Sequence, residues 1–345
     1  REGRNGRRPV VALDLVPLWA AILALSVFMY VLLDGFDLGV AMLFPFRRNA
    51  DDRERMIGSV SPVWDFNETW LVLGGGAMLA VFPLAFAIVI PAMYFPILVM
   101  LLGLVFRGVA FEFREVHGAR RWLWDTGFVL GSFAATYAQG VILGNFIQGF
   151  AVEGRHFVGT SWDWVSPFPL LTGLGLVFGY LLQGACWLVL KTEGELQQWA
   201  RAVARRSLWG VLAFIALISI WTPITEPRIA ERWFSWPQIL YFSPVPLLTI
   251  AVALLLLRAL RQGRELLPFL CSFALFFLAF TGLVISLWPY IAPPSITLWD
   301  AAASPKALAF LMVGTLLLLP ELLLYVAWSY WVFRGKLRSD IGYHA

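Results

Sequence analysis

Charge is scarce in this sequence. Only 14% of its 345 residues are Asp, Glu, Lys or Arg, about half the share found in ordinary soluble domains. That excludes a soluble globular chain. Histidine is scarcer still. His117, His156 and His344 are the three present, and none falls in an apolar run. Membrane chains that ligate haem place His or Met on helices facing the bundle, so the seven Met, lacking a His partner, read as gap-filling side chains. Cysteine is limited to Cys186 and Cys271, both in apolar runs. No disulfide framework, thiolate metal site or zinc spacing follows. The net charge of +4 is no nucleic-acid signal, because the basic residues sit in short loops.

What is abundant is apolar length. Hydrophobic residues make up 60% of the chain, and a membrane span needs about 20 of them in a row. The expected fold is an all-α polytopic membrane protein. Nine spans are expected, at 18–44, 60–82, 84–107, 122–145, 166–190, 206–224, 243–260, 266–288 and 307–333. Residues 1–15 read as an N-terminal extension outside the fold, and 16–345 as one transmembrane domain. The first residues have no apolar core and do not resemble a cleavable signal peptide.

Loops after the odd-numbered spans hold 18 Lys and Arg, against four in the even-numbered loops. The positive-inside rule then puts the odd loops and the C-terminus in the cytoplasm and the N-terminus outside. Arg1, Arg4, Arg7 and Arg8 oppose that orientation, but they belong to the extension. The longer outer loops carry Trp162, Trp164, Trp233, Trp236, Trp288 and Trp299 at expected headgroup level.

Against this background four acids stand out. Asp34 and Asp37 interrupt the first span, and Asp65 and Glu68 open the second. Each acid costs roughly 2.5–3.5 kcal/mol at a bilayer centre, so a functional role is the default hypothesis. Asp37 precedes Arg47 by ten residues, and Asp65 follows Arg55 by ten. Both lie about 15 Å in if the helices are continuous. Within each pair the i, i+3 spacing puts the acids on one helix side. Two carboxylates so close cannot both ionise cheaply in a low dielectric, which suits them to holding or passing a proton. Arg107 is expected near the cytoplasmic end of the third span, as counter-ion to Asp65 or Asp37. Glu112 follows as a channel-mouth residue. The packing alternative gives the acids Asn67, Trp64 and Thr69 as hydrogen-bond partners. Gly74-Gly75-Gly76 reads as close helix packing, since no phosphate-loop Lys follows.

Four segments are familiar. They are Asp34-Gly-Phe-Asp-Leu-Gly39, Trp64-Asp-Phe-Asn-Glu-Thr-Trp70, Phe106-Arg-Gly-Val-Ala-Phe-Glu-Phe-Arg114 and Tyr330-Trp-Val-Phe-Arg-Gly-Lys336. Together they resemble subunit II of cytochrome bd-type quinol oxidases, over residues 18–338. Glu68 and the Arg107–Glu112 segment look more like the cyanide-insensitive branch. The resemblance implies two four-helix bundles plus one peripheral helix, in a bacterial plasma-membrane complex that oxidises quinol and reduces O2 to water without pumping. It implies that haems b and d lie in a partner, subunit I, and that this chain ligates none. It implies a heterodimer with subunit I, a small accessory subunit in some complexes, and a structural quinone or lipid in some members. It also implies a proton route along Glu112, Asp65 and Asp37, joined here by Glu68 and Asp34. Arg107, Trp64 and Asn67 would be structural or counter-ion residues. Phe66 departs from the family, which usually has Gly there. Glu321 adds an acid with no family role. Taken without the resemblance, the same acids also suit a proton-coupled transporter.

Overall fold

A computed structural model describes residues 14–116 and 121–337. Residues 1–13 of the expected extension, His117 and His344 lie outside the described residues. Fourteen helices follow in order among those described. They are α1 (Val16–Leu43), α2 (Ala50–Val60), α3 (Trp64–Val81), α4 (Pro83–Ala92), α5 (Tyr94–Val116), α6 (Arg121–Gln148), α7 (Pro167–Lys191), α8 (Gly194–Thr225), α9 (Pro227–Phe234), α10 (Gln238–Phe242), α11 (Pro244–Arg261), α12 (Leu266–Leu287), α13 (Leu298–Ala301) and α14 (Pro305–Val332). Two short hairpins, β1–β2 (Val152–Glu153, His156–Phe157) and β3–β4 (Tyr290–Ala292, Ile296–Thr297), lie in the connections. The all-α membrane architecture expected from the sequence is present.

Among the described residues, eight helices are long and apolar enough to cross a membrane. The other expected span is α3, which falls short because Asp65, Asn67 and Glu68 crowd its first turns. Two boundaries need correction. The segment expected to start at residue 60 is broken at residues 61–63, where the chain turns between α2 and α3. The segment expected over 84–107 is two helices. Pro83 opens α4, and the chain leaves helical geometry at Met93 before α5 begins. Short α4 packs on β2, β3 and α13, which lie in the connections between later spans. It caps that end of the bundle and does not start a crossing. The true third crossing, α5, is therefore shifted about ten residues along the chain.

Helix α1 is the axis of the molecule. Every residue from Leu32 to Phe44 is buried. It packs against α3, α6 and α7, and α7 in turn packs against α6, α8 and α12. The α1–α7 crossing is close because two glycines meet there. A Cβ on Gly39 would collide with the carbonyl oxygen of Tyr180, and one on Gly184 would stand 2.5 Å from the carbonyl carbon of Gly39. Small residues let membrane helices approach this way. Gly39→Ala should therefore force the helices apart, at a cost of ~1–3 kcal/mol. The check is a thermal melt of the purified complex, and an unchanged midpoint would contradict the crossing.

The helix ends at the Arg-rich side are tied by ion pairs. Arg114 donates to Asp125 (2.6 Å) and to both oxygens of Glu54 (3.0 and 3.1 Å), and Arg121 also reaches Glu54. These bonds join α2 to α5 and α6. Burial pushes the Glu54 carboxyl up, but Arg114 and Arg121 outweigh it and hold it below its ordinary value. At the opposite end, Asp14 accepts from Trp299 Nε1 (2.8 Å), and Ala303 N–H donates to Val81 O (2.8 Å).

Candidate functional site

The buried acids of α1 do not share one neighbour. Asp34 Oδ1 accepts from Arg107 Nη1 of α5. The other end of the guanidinium, Nη2, donates to Glu68 Oε2 of α3 at 3.1 Å. Arg107 is completely buried and Glu68 about a quarter exposed. One arginine thus bridges two acids from two helices, using the planar fork that a lysine lacks. Trp64 lies beside it, 5.9 Å from the guanidinium carbon to the ring centroid, and stacks on Phe111 at 5.1 Å.

Asp37 sits one turn further along α1 and has no cation bonded to it among the described residues. Its Oδ2 accepts from Asn67 Nδ2 at 2.7 Å. Asn67 also donates to Leu33 O (3.2 Å) and accepts from the Tyr330 hydroxyl of α14 (2.8 Å). Asn67 therefore fixes Asp37 and is itself fixed from two sides.

Polar groups continue on α6 and α7. The Tyr180 hydroxyl donates to Gln139 Oε1 and Gln139 Nε2 donates to the Tyr30 hydroxyl, both at 2.8 Å. Tyr30 stands one helical turn before Asp34. Ser132, Thr136 and Gln139 follow one stripe of α6. Buried Asp34 Oδ2, Asp37 Oδ1, Arg107 Nε, Ser132 Oγ, Thr136 Oγ1 and both amide atoms of Gln183 have no hydrogen-bond partner among the described residues. Buried polar groups in folded proteins are nearly always bonded, and water is the usual partner where protein is not.

Of the expected site residues, the structure brings together Asp34, Asp37, Glu68, Arg107, Asn67 and Trp64. Asp65 and Glu112 are elsewhere, exposed on the surface of this chain. Thr69 Oγ1 bonds the Asp65 carbonyl, not its carboxylate (3.2 Å). The expected pairing of Arg107 with Asp65 or Asp37 is corrected to Asp34 and Glu68. Its expected place near a helix end is corrected too. Arg107 lies nine residues before the end of α5, about 14 Å in, because α5 starts later than the hydropathy suggests. Sequence reasoning missed Tyr30, Gln139, Tyr180, Gln183 and Tyr330. The i, i+4, i+7 spacing of Ser132, Thr136 and Gln139 within an apolar helix was the signal for this second polar layer.

No group of three or more His, Cys, Asp or Glu among the described residues could hold a metal ion. His156 is exposed on β2. The described spans offer no His to a haem.

The family model of cytochrome bd terminal oxidase subunit II matches residues 15–333. The chain belongs to that family. It is 30% identical to the cytochrome bd-I ubiquinol oxidase subunit 2 of Escherichia coli K12, with 94% of this chain and 95% of the relative aligned. It is 29% identical to the cytochrome bd ubiquinol oxidase subunit 2 of Bacillus subtilis 168, over 94% and 97% of the two chains. The bd oxidase from Geobacillus thermodenitrificans shares the fold, with a TM-score of 0.73 at 21% identity, covering 93% of this chain and 99% of that one. These relatives make the family one of quinol oxidase subunits. The chain is thus an integral membrane protein and subunit II of a cytochrome bd oxidase, which has a subunit I as its partner. The cytochrome bd family in general carries its haems in that partner subunit.

Proposed function

We propose that this chain supports a haem-bearing subunit I in a quinol:O2 oxidoreductase and supplies part of the proton route to the haem where O2 is reduced. The observation that carries this reading is the balance of charge inside the bundle. Asp34 and Glu68 meet on the guanidinium of Arg107, and Asp37, one turn along α1 from Asp34, is held by Asn67. Asp34 and Glu68 share that cation. Asp37 has only an amide, so a proton there is the cheapest way to neutralise it in a low dielectric.

Quinol oxidation releases electrons in the partner, and O2 reduction to water takes up protons there. The route would start at exposed Glu112 and Asp65, pass half-buried Glu68 and reach Asp34 and Asp37. The unbonded oxygens Asp34 Oδ2 and Asp37 Oδ1 and the polar stripe of α6 would hold the waters linking them. The basic ends of α5, α7 and α11 face the cytoplasm in this reading, with the N-terminus outside. Haems b and d belong to subunit I, the arrangement is a heterodimer with or without a small accessory chain, and the membrane is the bacterial plasma membrane.

The test is Asp65→Asn in the purified two-subunit complex. O2 consumption with quinol should fall several-fold while the haem spectrum stays intact. Undiminished turnover at full haem content would remove Asp65 from the route. Haem loss would make it a structural residue instead.

A further inference from the structure

Where α7 and α14 end on the basic side, the chain after α14 folds back over the end of α7. Gly335 makes the turn with a φ of 103°, a left-handed conformation that favours glycine. Leu337 N–H donates to Lys191 O (3.0 Å), and Lys191 Nζ donates to Phe333 O (2.6 Å) and Gly335 O (3.3 Å). The turn walls a cavity of about 200 Å³ that extends to Gly58 of α2, Pro62 and Tyr330 of α14. Trp187 forms part of the wall and is fixed there by its Nε1 donating to Ser59 O at 3.2 Å.

The charge of this cavity is one-sided. Lys191, Arg334 and Lys336 line it, and no Asp or Glu does. Lys336 is neutralised by Glu265 (2.6 Å) and Glu193 (3.5 Å). The other two cations are not. Lys191 is only 8% exposed, yet its ammonium meets two carbonyls and the face of Trp187, 4.9 Å from the ring centroid. Of the three donors of an ammonium, one has no partner among the described residues. Arg334 lies over the Trp331 ring at 4.2 Å and pairs with no acid among the described residues. Buried charges in folded proteins are paired, because an uncompensated one is strongly destabilising. Lys191 lacks its anion.

Depth and size narrow what that anion is. The cavity sits where two spans end, and α14 exposes Trp328 and Trp331 beside it, the residue type found at headgroup level. Val63, Trp187 and Phe333 give it apolar walls. One water takes about 30 Å³, so the space far exceeds a halide ion. Basic pockets between spans on the cytoplasmic side are where phosphate headgroups bind.

We propose that this cavity holds the phosphate of an anionic phospholipid, with Lys191 and Arg334 as its cations. A zwitterionic headgroup would set an ammonium against the same two cations, so a headgroup of the phosphatidylglycerol type is the better match. The inference needs only that the chain spans a membrane, and it is independent of the proton route.

The two-subunit complex, stripped of lipid by detergent exchange, provides the test. Added phosphatidylglycerol should raise its thermal midpoint. Phosphatidylcholine or inorganic phosphate at equal concentration should not. Lys191→Met and Arg334→Gln should each raise the phosphatidylglycerol concentration needed for half the shift about fivefold. Arg334 is exposed, so Arg334→Gln keeps the test open should Lys191→Met fail to fold. Arg206→Gln, at an exposed position of α8 away from the cavity, should respond as the parent does. A weakened response in the cavity variants that fold, kept in Arg206→Gln, supports the site. No rise, or a rise equal in parent and cavity variants, overturns it. So does an equal rise with phosphatidylcholine or with inorganic phosphate. A response that appears only after removal of residues 338–345 also overturns it, because the chain's own tail would then be the occupant.

Discussion

Arg107→Met should prevent the complex from accumulating. The arginine is wholly buried and bridges Asp34 and Glu68. Removing it leaves two carboxyls in a low dielectric without their cation. Breaking a buried pair in this way costs ~3–5 kcal/mol, a large part of the 5–15 kcal/mol that typically separates folded from unfolded chains. The measurement is haem per unit of membrane protein, with the thermal midpoint of whatever complex is recovered. Arg107→Lys should rescue only in part, because one ammonium cannot replace a fork that bonds acids on two helices. Adding Asp34→Asn to Arg107→Met should restore some stability, because it removes one orphaned charge. A double variant no better than Arg107→Met would show that Asp34 is not the group the arginine holds.

Asp37→Asn is expected to do the opposite: keep the assembly and lose the turnover. The substitution is isosteric, and an Asn carbonyl can still accept from Asn67 Nδ2. No cation is bonded to Asp37, so none is stranded. What disappears is the ability to bind and release a proton. O2 consumption with quinol should fall at least tenfold, equivalent to about 1.4 kcal/mol in the barrier, while the haem spectrum and thermal midpoint remain near those of the parent. Turnover within twofold of the parent would exclude Asp37 from proton delivery. The contrast between the two variants matters more than either alone. A purely structural cluster predicts that both lose assembly, while a relay predicts that only Arg107→Met does.

The four acids were legible because charge inside an apolar run is rare and expensive. The family was legible because its motifs are long and ordered. Partners were harder to read. An i, i+3 pair faces one side of a helix only loosely, and α1 is enclosed on all sides at this level. Asp34 can therefore turn to α5 while Asp37 turns to α3. Depth failed for a different reason. Hydropathy runs smoothly through residues 84–107, so the end of α4 near Met93 left no trace in the average. That concealed how far inside α5 Arg107 lies. The break between α2 and α3 likewise put Asp65 in a first turn and on the surface. The layer formed by Tyr30, Gln139 and Tyr180 stayed hidden because hydroxyls and amides barely lower the apolarity of a span, although hydrogen bonds join the three side chains.

The bridge made by Arg107 also bears on how the chain enters the membrane. Asp34 and Glu68 precede it in the sequence, so they leave the ribosome first. The arginine of α5 then arrives in a bilayer where both of its acids are already waiting. Order of synthesis turns a costly insertion into a neutralising one, and the acids wait for it only while α5 is being made.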